Sequence, residues 1–91
     1  MVDYVDITTK QVETLRFARN TAGNYMANRQ FDRAFECLLD IKRDLEVRKI
    51  HPKTFDNILE EVFAIGAELS GQSEMITIDF AAYIGKRLHA H

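Results

Sequence analysis

Few side chains in this chain could do covalent or metal chemistry, and their spacing argues against it. Cys37 is the single cysteine. A reactive thiol needs a pKa lowered by a neighbouring base or a helix N-terminus. Cys37 instead has Glu36 beside it, within a run of apolar residues at helical spacing: Phe31, Ala34, Phe35, Leu38, Ile41 and Leu45. It reads as an inert, partly buried thiol in mid-helix. The three histidines are His51, His89 and His91. Residues two apart do not share a helix face, and zinc takes three or four protein ligands. His51 precedes Pro52, where an imidazole suits helix capping. Ser70 and Ser73 flank Gly71 and Gln72 with no nucleophile elbow or phosphate loop around them. Glu60 and Glu61 are adjacent, so they diverge by about 100° around a helix. They cannot converge on a cleft as an acid–base pair. The expectation is a chain without catalytic, cofactor-binding or metal-binding residues, hence not an enzyme, with no small-molecule substrate evident.

The elements that carry these residues are all helical. Thr8 and Gln11 form a capping-box pattern that opens a first helix at Thr8 or Thr9. Val12, Leu15, Ala18, Ala22, Tyr25 and Met26 then recur at three- and four-residue steps, until Asn28, Arg29 and Gln30 break the pattern. Ala18, Ala22 and Gly23 are small enough to admit a close neighbour. The second helix is expected from Phe31 to about Lys49. Asp40 with Arg43, Asp44 with Arg48, and Glu46 with Lys49 have supportive spacing on its outer face. Pro52 suits the first turn of a third helix, which should stop at Ser70 and Gly71. A fourth helix begins between Ser73 and Thr77 and runs to about Leu88. Its stripe is Ile76, Phe80, Ile84 and Leu88.

Ala22, Tyr25, Phe31, Ala34 and Leu38 fall at intervals that resemble the tetratricopeptide hairpin, over residues 18–45. The early Trp is missing, Ala stands in place of the expected Gly, and no Pro closes the unit. Residues 55–88 do not repeat the pattern. The chain is therefore not assigned to that family. The expected fold is all-α: one domain over residues 1–91, forming a four-helix antiparallel bundle or two stacked helical hairpins. Residues 1–8 read as an N-terminal arm and residues 89–91 as a frayed tail.

Composition bounds the function. With 46% hydrophobic and 29% charged residues, the chain belongs with folded globular proteins. The N-terminal sequence lacks a signal-peptide pattern, and no apolar run reaches the roughly 20 residues of a membrane span. A cytoplasmic protein with no membrane partner is expected. Charge is uneven: residues 54–85 contain six acids (Asp56, Glu60, Glu61, Glu68, Glu74, Asp79) and no Lys or Arg. The third helix is also apolar over a wide arc. A protein–protein interaction module is the main expectation: an adaptor, chaperone-like or regulatory subunit with a protein partner or as a homodimer. Its candidate contact residues are Phe55, Leu59, Val62 and Phe63, with Glu60, Glu61 and Glu68 around them. The alternative is a nucleic-acid-associated transcriptional or nucleoid regulator using Arg16, Arg19, Arg29 and Arg33 on the first two helices. A sequence pI near 5.9 weighs against it.

Overall fold

The computed structural model describes Tyr4 and residues 7–89. Most of the proposed arm, and residues 90–91 of the proposed tail, lie outside the described residues. Four helices follow in order: α1 (Thr9–Ala27), α2 (Phe31–Val47), α3 (Pro52–Ser70) and α4 (Ser73–His89). The caps explain the boundaries. Thr8 N–H donates to Gln11 Oε1 at 2.7 Å, and Gln11 N–H returns a bond to Thr8 Oγ1 at 3.2 Å. This reciprocal box satisfies two of the donors that a helix start leaves open. Pro52 occupies the first turn of α3, and Lys53 N–H donates to His51 Nδ1 at 3.0 Å. His51 thus caps a helix, as its position before Pro52 suggested.

Two connections use the same device. Gln30 N–H reaches back to the Tyr25 carbonyl at 2.9 Å and Arg29 N–H to Met26 at 3.0 Å. Ile50 N–H bonds Leu45 at 2.9 Å and Lys49 N–H bonds Glu46 at 3.1 Å. Both are Schellman closures, and both need a left-handed residue at the turn. Arg29 (φ 59°) and Lys49 (φ 57°) supply it without being glycine. The reversal at Lys49 ends α2 at Val47, earlier than expected, because it folds Ile50 back into the core beside Leu45. It also takes Lys49 off the helix face. The Asp40–Arg43 and Asp44–Arg48 pairs form at 3.5 and 3.0 Å, whereas Glu46–Lys49 does not.

The arrangement is two stacked hairpins. α1 and α2 form one and α3 and α4 the other, with helices of 19 and 17 residues in each. The second hairpin therefore repeats the lengths of the first although its apolar sequence pattern differs. α1 packs more extensively on α3 than on any other helix and barely touches α4. Arg19 meets Glu61, and Gly23 sits against Ile65. Both numbers rise together, so α1 and α3 run parallel. The molecule is a slab with principal extents of 39 × 32 × 18 Å. Two helix layers of about 10 Å each account for the thinnest dimension. The core joins Leu15, Ala22 and Met26 of α1 to the α2 stripe and to Ile58, Val62, Ile76 and Phe80.

Close approach of α1 to α3 depends on two glycines. A Cβ on Gly23 would lie 2.4 Å from Ile65 Cγ2, and one on Gly66 would lie 2.4 Å from Met26 Sδ. Each helix contributes one glycine to the crossing, opposite a bulky side chain of the other.

Candidate functional site

The α2 stripe is scaffold. Ala34, Phe35, Leu38, Ile41 and Leu45 are all buried. What remains apolar beside it opens toward α3 and the end of α4. α2 makes only sparse contact with either of those helices, because α1 occupies the central position. The result is an apolar groove of about 360 Å³. Leu39 and Lys42 of α2 form one wall, Phe55 and Leu59 of α3 the other, and Ile84 and Leu88 of α4 close one end. Leu88 remains 57% exposed. The Lys42 ammonium lies 5.8 Å from the Phe55 ring centroid, a cation–π distance that lays its alkyl stem along the apolar wall. Glu46 and Asp56 stand on opposite walls, and neither carboxylate is in an ion pair among the described residues.

The candidate contact residues of α3 divide between different surroundings. Phe55 and Leu59 line the groove. Val62 does not belong with them, because it is 0% exposed and part of the core. The α3 arc is wide because it faces α1, α2 and α4 together, so its breadth records internal packing. Phe63 is half-buried against Phe80, with ring centroids 5.5 Å apart, and borders a separate hollow between α3 and α4. Glu61 is bound by the Arg19 guanidinium. Glu60 and Glu68 are exposed and outside the groove lining. Sequence reasoning missed Leu39, Ile84 and Leu88 as groove residues. Leu39 was the visible signal, since it is apolar yet falls outside the core stripe.

The four arginines of the nucleic-acid alternative are not presented as one free patch. Arg19 holds Glu61, and Arg29 holds Asp79 at 2.8 Å while also donating to Gln72 at 3.2 Å. Arg33 lies over the Tyr25 ring at 5.9 Å. Arg16 is exposed beside Glu61 in a shallow cleft between α1 and α3. Part of the charge asymmetry seen in the sequence is thus answered within the chain.

Cys37 is half-buried, and its thiol pKa is raised, first by burial and then by the Asp40 and Glu36 carboxylates. That direction disfavours the thiolate a nucleophile or metal ligand needs. Among the described residues no group of three or more His, Cys, Asp or Glu side chains could hold a metal ion. No described helix is long and apolar enough to cross a membrane. The chain matches no family model, no curated protein and no solved structure.

Proposed function

We infer that this chain is a non-catalytic protein–protein interaction module, an adaptor, chaperone-like or regulatory subunit, and that its groove receives an amphipathic segment of a partner protein. One observation carries the reading: a groove with apolar walls from three helices and a polar rim. Such a shape suits an amphipathic helix that lays residues at i, i+3 or i+4, and i+7 against the walls. Leu39 and Leu88 add apolar surface there beyond the buried core, which would remain hydrated in a chain with no partner.

The test is selection of a displayed library of short helical peptides on the immobilised protein. Enriched sequences should carry apolar residues at helical spacing. Their binding should fall at least tenfold in a Leu39→Glu variant whose circular dichroism and melting match the parent. Failure to enrich any sequence, or enriched peptides indifferent to Leu39→Glu, would overturn the reading.

A further inference from the structure

We propose that a second surface, apart from the groove, docks a basic amphipathic helix of another protein, with an apolar side chain in the hollow between α3 and α4 and Lys or Arg on either side of it. The hollow, of about 430 Å³, is floored by Phe63, Ala64 and Ala67 and walled by Thr77 and Ile78. It shares no lining residue with the groove. Ile78 is 68% exposed, and Met75, one turn before it on α4, is 65% exposed. Apolar side chains held this far out of the core stay hydrated until something covers them. The alanine floor matters as well, because small side chains let a second helix come to the short end of the usual interaxial range.

Charge selects the occupant. Glu60 and Glu68 lie one turn before and one turn after Ala64 on α3, and Glu74 lines the hollow from α4. All three are exposed, and none is in an ion pair among the described residues. Nothing basic in this hairpin stands among them, since residues 54–85 contain no Lys or Arg. Arg19 and Arg29 reach across from the other hairpin, but Arg19 is held by Glu61, and Arg29 by Asp79 and Gln72. Lys53 and Lys86 bracket the acidic run at the end of the hairpin away from Glu74 and its turn. Such a face repels nucleic-acid phosphates, acidic lipid head groups and a second copy of itself. It favours encounter with a segment of opposite sign.

Fluorescence anisotropy on the full chain tests this with two labelled helical peptides, one of Leu, Ala and Lys, the other with Glu at every Lys. The Lys peptide should bind, more weakly as salt is added, and the Glu peptide should not. Combined Glu60→Gln, Glu68→Gln and Glu74→Gln should weaken the Lys peptide by about tenfold, three exposed ion pairs being worth a few tenths to 1 kcal/mol each. Combined Glu13→Gln, Asp32→Asn and Glu46→Gln removes the same charge away from the hollow and should leave affinity unchanged. Ile78→Ser, which alters no charge, should weaken binding severalfold with circular dichroism unchanged, since the side chain is largely exposed. Leu39→Glu should leave this binding intact, so the hollow and the groove stand or fall separately. No binding of the Lys peptide, or equal binding of both peptides, would overturn the proposal. So would equal effects of the two triple substitutions, indifference to Ile78→Ser, or binding lost with Leu39→Glu.

Discussion

Three glycines in helices should respond to the same substitution in different ways, and the differences measure the α1–α3 crossing. Replacing glycine by alanine in a helix interior gains about 1 kcal/mol from backbone entropy alone. Gly85 of α4 has no neighbour within 4 Å of a built Cβ. Gly85→Ala should therefore stabilise the protein by ~0.5–1 kcal/mol, somewhat below the full value because the helix ends four residues later. A Cβ on Gly23 would lie 2.8 Å from Ile65 Cβ as well as 2.4 Å from its Cγ2. Cβ is fixed to the backbone, and a β-branched side chain in a helix has essentially one rotamer. Ile65 cannot swing away, so α1 and α3 must separate. Overpacking of this kind costs about 1–3 kcal/mol, which offsets the helix gain of about 1 kcal/mol and leaves a net loss of up to ~2 kcal/mol. Gly66→Ala should fall between the two. Its obstacle is Met26, whose sulfur and Cγ can turn about flexible bonds although the residue is fully buried. Urea unfolding followed by far-UV circular dichroism, at one low protein concentration, ranks the three variants. Gly85→Ala and Gly23→Ala should differ by ~2 kcal/mol, roughly 8–16 °C in melting temperature for a chain of this size. Equal stabilisation by all three would refute the close parallel packing of α1 on α3.

Other consequences are independent of that crossing. Lys49 adopts φ 57° and is exposed, so Lys49→Gly should relieve left-handed strain and raise unfolding free energy by ~0.5–1 kcal/mol in the same titration. Thr8→Ala removes the hydroxyl half of the capping box and should cost ~1 kcal/mol, with amide exchange accelerated in the first turn of α1. The Cys37 thiol has a raised pKa, so its thiolate fraction at neutral pH is below that of a free cysteine. Its alkylation in the folded protein should be slower than in the urea-unfolded chain and should climb with pH at a higher midpoint; equal rates would mean that the site is neither shielded nor shifted. Labelled duplex DNA titrated at low salt should show no shift. A salt-sensitive shift lost on combined Arg16→Glu and Arg33→Glu substitution would restore the nucleic-acid alternative.

Local signals in the chain were sufficient for the helices themselves. Thr8 with Gln11, Pro52, and Ser70 with Gly71 name boundaries that the structure keeps, because caps depend on residues within one turn of each other. The buried face of α2 was equally legible from its spacing. The turn at Lys49 was not. A left-handed lysine carries no composition signal, and its reason is the burial of Ile50 beside Leu45, a contact made after the chain turns.

Arrangement was decided between helices, not along them. A periodic stripe states that a residue is buried but not which helix covers it, so Val62 and Leu59 looked alike in the sequence. Packing α1 centrally against α3 buries Val62 completely and leaves Leu59 on a groove wall. The same placement brings Arg19 to Glu61 and Arg29 to Asp79 across separations of 42 and 50 residues. Charge layout along the chain showed an excess of acid in its second half. Which carboxylates are matched and which stay free follows from distances that exist only after two hairpins stack in parallel.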